Sequence, residues 1–232
     1  LSNQVIPTVV FDLDGTLVDT APDLAEALNH CLGHAGLGAD ALNVVRPHAG
    51  HGARAMLAAA YERRGLDLDE PEMQAALERF LAYYEDHIAD QSQPFPGVVA
   101  AMDRLSGAGF NMAVCTNKRE RLSHLLLEAL GLSDRFVAIC GADTVKRRKP
   151  HHDHLLETVA RAQGRAGASV MIGDSAADIE AAAGADVASI LVDFGYGPEA
   201  AVRRKATIEI EDYRQLDADL VESLIDRRYS RL

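Results

Sequence analysis

Apolar positions follow two different rhythms along the chain. Residues 5–11 form a short, nearly continuous apolar run closed by a polar turn at 12–15, the pattern of a buried strand. From Pro22 the spacing becomes helical, with Leu24, Leu28 and Leu32 in line and Ala27 and Cys31 beside them, until residues 33–38 break it. Residues 51–64 and 72–88 predict two more helices, the second carrying Leu77, Phe80, Leu81, Tyr84 and Ile88 on one face. No strand is predicted between Gly15 and Pro94.

After Gln93-Pro94-Phe95-Pro96-Gly97 the rhythm changes to strict alternation. Helices over 98–107, 119–130, 153–163 and 176–183 each precede a strand, at 111–115, 136–140, 168–172 and 187–192. A last strand at 207–210 leads to a helix over 213–226, with Leu216, Leu220 and Leu224 in line. Alternation of this kind predicts an α/β fold, a Rossmann-like parallel sheet with helices on both faces. The simplest organisation is a core domain of residues 1–16 and 94–232, interrupted after its first strand by a small all-helical domain of residues 17–93, with Pro22 and the 94–97 segment as hinges.

Composition narrows the chemistry. Of 232 residues 48% are hydrophobic but only 5% aromatic, with no Trp, so the core must be aliphatic and rich in alanine. Lys plus Arg number 23 against 35 Asp plus Glu, a net charge of −12 that disfavours nucleic acid and anionic lipid as partners. The same field repels an anionic substrate, so an anion site must build its own positive potential. Cys31, Cys115 and Cys140 lack metal-ligand spacing and read as reduced, buried thiols. With no apolar run long enough for a bilayer and no leader-like opening, a cytoplasmic protein, monomer or homodimer, is expected.

Four polar segments carry the candidate chemistry. In Asp12-Leu13-Asp14-Gly15-Thr16, two carboxylates two apart in an extended segment point the same way. They stand at the carboxyl end of a buried strand, where open α/β sheets place ligands. Their repulsion calls for a proton or a cation, and Mg²⁺ suits an oxygen donor set. In Gly173-Asp174-Ser175-Ala176-Ala177-Asp178, an apolar strand again ends in acids, four apart at a helix start. Helix capping explains these acids too, and capping and metal binding can coexist. Thr116-Asn117-Lys118 follows a strand, where a hydroxyl and turn N–H groups can donate to phosphate. In Lys146-Arg147-Arg148-Lys149-Pro150, three bases read as solvated, while Lys149 is stiffened by the proline and can neutralise an anion.

The order of these segments resembles the haloacid dehalogenase superfamily of phosphohydrolases. Pro96-Gly97-Val98, Gly141-Ala142-Asp143-Thr144 and Phe194-Gly195-Tyr196-Gly197 make it most similar to the phosphoglycolate phosphatase branch, with a helical cap after the first motif. The resemblance implies that Asp12 is the nucleophile and that Asp14 protonates the leaving group, then activates water. It implies Mg²⁺ held by Asp12, the Asp14 backbone carbonyl and Asp174, with Asp178 supporting. Thr116, Asn117 and Lys149 would orient and neutralise the phosphoryl group, with Thr16 also on the substrate side. The substrate would be a small phosphorylated metabolite, and the cap would close over it. Two departures stand out: Gly-Ala-Asp at 141–143 where Gly-Gly-Asp is usual, and His151-His152 where His-Pro is usual.

Within the cap, the resemblance implies that His48-Ala49-Gly50-His51-Gly52-Ala53-Arg54 lies where the family's cap loop faces the site. His51 and Arg54 are candidates for a substrate carboxylate, Arg54 by a bidentate contact; ordinary helix-start polarity is the alternative. His151, His152 and His154 read as a solvated first helical turn rather than a metal site. A sugar-phosphate mutase, or a nucleotide, sugar-phosphate or pyrophosphate hydrolase, fits the same motifs. A phospho-Asp signalling module shares some of them but lacks a large insertion.

Overall fold

The computed structural model describes residues 6–197 and 200–229. Strand β1 (Thr8–Phe11) leads through a tight turn into β2 (Val18–Asp19). Helices α1 (Ala21–His34), α2 (Leu42–Val45), α3 (Ala53–Glu62) and α4 (Glu70–Asp86) follow before β3 (Gln93–Pro94) pairs antiparallel with β2. Then come α5 (Val98–Gly107), β4 (Asn111–Cys115), α6 (Glu120–Ala129), β5 (Ala138–Cys140) and α7 (His152–Arg161). The chain continues through β6 (Ser169–Gly173), α8 (Ala176–Gly184), β7 (Ala188–Val192), α9 (Ala200–Arg203), β8 (Ile208–Ile210) and α10 (Ala218–Tyr229).

Six strands form one parallel sheet in the order β5-β4-β1-β6-β7-β8. Side chains alternate across it with the period of a strand. Val9 and Phe11 pack on one face with Met102 and Leu105 of α5, Leu127 of α6 and Leu224 of α10. Val10, Ala113 and Met171 pack on the other with Leu155 and Val159 of α7 and Ala182 of α8. Both faces are covered, which is why the strands read as unbroken apolar runs. The expected fold class is therefore the one observed. From central β1 the chain builds outward through β4 and β5, then crosses back to β6. That reversal opens a crevice at the carboxyl ends of β1, β4 and β6.

The inserted helices bury their own apolar stripe. Leu24, Leu28, Cys31 and Leu32 of α1 meet Met56 and Leu57 of α3 and Phe80 and Tyr84 of α4, and Leu122 of α6 and Tyr196 join the same cluster. Asp69 starts α4 with a reciprocal cap, accepting from Glu72 N–H while the Glu72 carboxylate accepts from Asp69 N–H. All three cysteines are free and buried. Among the described residues no helix is long and apolar enough to cross a membrane.

Several expectations need correction. Strands do occur between Gly15 and Pro94: β2 and β3 pair at the foot of the insertion, but two residues each are too few for a period to show. The helix expected over 51–64 begins at Ala53, because residues 46–51 form a 3₁₀ turn and Gly52 sits at φ 89°. The helix expected over 213–226 is split. Asp212 caps a short 3₁₀ turn at Tyr213–Gln215, and α10 starts at Ala218, where Asp217 accepts from Leu220 N–H. Helix α9 adds an element too short, at four residues, for the sequence to show a helical period. Residue 5 of the expected first strand lies outside the described residues.

Candidate active site

Three neighbouring strands each deliver one polar residue directly after their last apolar one. Asp12 follows β1, Thr116 follows β4 and Asp174 follows β6. The parallel registers place Phe11 beside both Val114 and Ile172, so the three residues converge. Asp178, in the first turn of α8, completes the group. One carboxylate oxygen each from Asp12, Asp174 and Asp178 lies within 4.8 Å of the others, and all three residues are buried.

One buried ammonium stands against these three acids. Lys149 Nζ lies 2.9 Å from Asp12 Oδ1 and 2.5 Å from Asp178 Oδ1. Burial opposes the Lys149 charge, but Asp12 and Asp178 raise its pKa above the usual lysine value. The balance stays negative. Burial, then the charge of Asp178, pushes Asp12 up to about 7 although Lys149 pulls it down. Burial, then Asp178 and Asp12, pushes Asp174 up to about 8. Two buried carboxylates with raised pKa values, all-oxygen donors and surplus negative charge fit a hard divalent cation such as Mg²⁺. Asp12 and Asp174 could hold it, although Asp174 Oδ1 and Oδ2 already accept from Thr16 Oγ1 and Tyr196 N–H. Asp178 has both oxygens engaged: Oδ1 takes Lys149, and Oδ2 accepts from Ser175 N–H at 3.0 Å and Ser175 Oγ–H at 2.6 Å, capping α8. It serves as helix cap and charge partner together.

The turn after β1 is shaped around Asp174. Gly15 adopts φ 80°, and a Cβ there would press on the Asp174 carboxylate, so only glycine fits. Thr16 Oγ1 donates to Asp174 Oδ1 at 3.2 Å. Asn117 Nδ2 donates to the Lys149 carbonyl at 3.0 Å. In this structure Thr16 and Asn117, both expected on the substrate side, bond to other site residues. Thr116 is buried, and its Oγ1 accepts from Lys118 N–H at 3.2 Å.

Asp14 is set apart from the three clustered acids. Its Oδ1 accepts from Thr20 Oγ1 at 2.7 Å and from Lys118 Nζ at 2.9 Å. Asp12, Asp14, Thr116 and Lys149 nevertheless line one cavity of about 620 Å³, whose far wall includes Leu77, Phe80, Leu81 and Tyr84 of α4 together with His51 and Arg54. Arg54 reaches the cavity wall, but its guanidinium is paired with Glu70 at 2.5 Å on a largely exposed surface.

Sequence reasoning misplaced one residue and overlooked two. His154 is not solvated but fully buried, because it supports Lys149 from behind. Its Nδ1 accepts from Lys149 N–H at 3.3 Å, and its Nε2 lies 3.2 Å from the Cys140 carbonyl oxygen. His151 and His152 do sit at the surface with Asp153. The sequence motifs point to no role for Lys118, yet its ammonium is buried between Asp14 and Tyr84. Tyr196 likewise has a role that its motif does not spell out. Its N–H donates to Asp174 Oδ2 at 2.9 Å, while its hydroxyl accepts from the N–H groups of Thr20 and Ala21 at 2.8 and 2.9 Å. It thus ties the β6 turn to the start of α1. No local signal marks Lys118, three residues past the end of β4, because a buried lysine and a solvated one share the same sequence pattern.

The chain resembles known proteins over most of its length. Residues 9–192 match the profile of the haloacid dehalogenase-like hydrolases. The chain is 42% identical over 226 residues to the phosphoglycolate phosphatase of Agrobacterium fabrum, covering 97% of each chain. It is 43% identical over 219 residues to the phosphoglycolate phosphatase of Mesorhizobium japonicum, covering 94% of this chain and 96% of that one. The crystal structure of a predicted phosphoglycolate phosphatase from Haemophilus somnus superposes with a TM-score of 0.83 at 26% identity, over 94% of this chain and 97% of that one. The ordered motifs, the sheet that gathers them and a profile match spanning most of the sequence place the chain in the haloacid dehalogenase-like hydrolase family.

Proposed function

We propose that the protein is a Mg²⁺-dependent phosphatase acting on a small phosphate monoester of the phosphoglycolate kind, through an aspartyl-phosphate on Asp12. The observation that carries this reading is the buried group of Asp12, Asp174, Asp178 and Lys149, of which Asp12 and Lys149 line the cavity together with Asp14, which stands outside the group. The names of relatives sharing more than two fifths of their residues with the chain supply the substrate class.

A cation held by Asp12 and Asp174 would neutralise charge on the phosphoryl oxygens. The chain's own groups do the rest. An Asp12 carboxylate oxygen attacks phosphorus as the ester P–O bond breaks, and Asp14 gives its proton to the departing alkoxide. Asp14, now a carboxylate, takes a proton from water as that water attacks phosphorus. The P–O bond to Asp12 then breaks and phosphate leaves. Lys149 and Thr116 offset negative charge on the transferring group. The inserted helices act as a cap that excludes bulk water, with His51 and Arg54 on the leaving-group side.

The test is a panel of phosphorylated metabolites, 2-phosphoglycolate included, assayed with and without Mg²⁺. The reading expects hydrolysis of small monoesters, loss of activity with EDTA and recovery on adding Mg²⁺. Metal-independent hydrolysis, or turnover only with a bisphosphate activator and a sugar phosphate acceptor, would overturn it.

A further inference from the structure

We infer that Lys118 is the positioning residue for Asp14, with Tyr84 of α4 holding the lysine in place. The inference deepens the proposed function and rests on its assignment of Asp14 as the acid and base. The Lys118 side chain is only 6% exposed. Its ammonium donates to Asp14 Oδ1 at 2.9 Å and to Tyr84 Oη at 2.8 Å, and lies 4.5 Å from the centre of the Tyr84 ring. A buried ammonium persists only where partners of this kind replace its water.

The arrangement on Asp14 is asymmetric. Lys118 and Thr20 both donate to Oδ1, and among the described residues no donor reaches Oδ2. Asp14 lines the cavity, so fixing one oxygen leaves the other available for proton transfer. Acid–base catalysis requires that oxygen within hydrogen-bond reach of the leaving group, and a carboxylate on a turn needs such a clamp to stay aimed. The two buried lysines therefore divide the work: Lys149 serves Asp12 and Asp178, and Lys118 serves Asp14. Because Tyr84 belongs to α4, the clamp is complete only when that helix is seated over the sheet.

The test compares Lys118→Met, Tyr84→Phe and Asp14→Asn on an alkyl phosphate and on p-nitrophenyl phosphate. An alkoxide needs a proton to leave, whereas p-nitrophenolate does not; both share the later step in which water must be activated. For Lys118→Met the expected result is a fall in kcat of about 100-fold on the alkyl phosphate with little change in KM. On p-nitrophenyl phosphate the same variant should give a burst of one p-nitrophenolate per enzyme followed by slow turnover. Tyr84→Phe should move both readouts the same way by a smaller factor, and it decides the matter if Lys118→Met fails to fold. Wild-type kinetics without a burst in the folded variants, alongside a burst in Asp14→Asn, overturns the positioning role alone. Wild-type turnover in Asp14→Asn overturns the acid–base assignment and this inference with it.

Discussion

Lys149 has its ammonium between two acids and both backbone polar groups occupied, the N–H by His154 Nδ1 and the carbonyl by Asn117. His154 can accept from Lys149 only as a neutral ring whose proton sits on Nε2, donating to Cys140 O. Burial, then the Lys149 charge, pushes His154 down to about 4. The sign follows: between about 4 and the ordinary value of 6.5 the unfolded chain binds the extra proton, so stability is full above that window and is lost as pH falls through it. From pH 7.5 to pH 5 this one group should cost about 2 kcal/mol. Urea unfolding of the wild type and of His154→Gln at both pH values checks it, and an equal loss in both proteins would count against the assignment. At this scale Asp12 and Asp174 were legible because each follows an apolar strand, Asp14 and Asp178 from their spacing to those acids, and Lys149 from the proline beside it. His154 and Lys118 were not, since no local pattern distinguishes a buried histidine or lysine from a solvated one.

The elements add a second set of constraints, where the inserted helices meet the sheet. Asp23, in the first turn of α1, is buried, and its carboxylate accepts from Gln91 N–H at 3.0 Å, Ser92 N–H at 2.8 Å and Ser92 Oγ–H at 2.6 Å. It fastens the beginning of the insertion to its end, beside the β2–β3 pair. Asp23→Ala strands these donors in a buried place and should lower stability by about 2–4 kcal/mol. Chemical denaturation checks this, with Asp23→Asn expected to lose less because one acceptor survives; a loss below about 0.5 kcal/mol would show that the fastening carries no weight. Most sheet strands and longer helices were legible from their periods, and the predicted α1 stripe of Leu24, Leu28 and Leu32 is buried as expected. The β2–β3 pair and α9 were not, because two to four residues contain too little of any period.

The whole molecule carries a charge of −12, yet it buries the ammonium groups of Lys118 and Lys149 beside the cavity that Asp12 and Asp14 line. A bound cation would complete that local field. In its absence Asp12 and Asp174 hold protons up to about 7 and about 8, against an ordinary 3.8, so the folded chain binds more protons than the unfolded one across that window. Their contribution to stability is therefore present at low pH and is lost as pH rises through 7 and 8. Mg²⁺ must displace those protons, so its stabilising effect should grow with pH. At a hundred times its Kd the ion should add about 2.7 kcal/mol, or roughly 5–10 °C in Tm for a chain of this size. Melting curves with and without Mg²⁺ at pH 6 and pH 8 test this; a shift that does not increase with pH would contradict the placement of the ion. At this scale the order of the motifs made the family legible. The pairing of Arg54 with Glu70 was not, because it depends on how α3 and α4 pack.

The central claim is that phosphorus becomes bonded to Asp12 during turnover. Acid quenching of Asp14→Asn with p-nitrophenyl phosphate and Mg²⁺, followed by mass spectrometry of the peptide containing Asp12, measures this directly. The predicted result is one phosphoryl group on the Asp12 carboxylate, absent when Asp12→Asn is added to the same variant. An adduct on another residue, or continued hydrolysis by the Asp12→Asn enzyme, would contradict it.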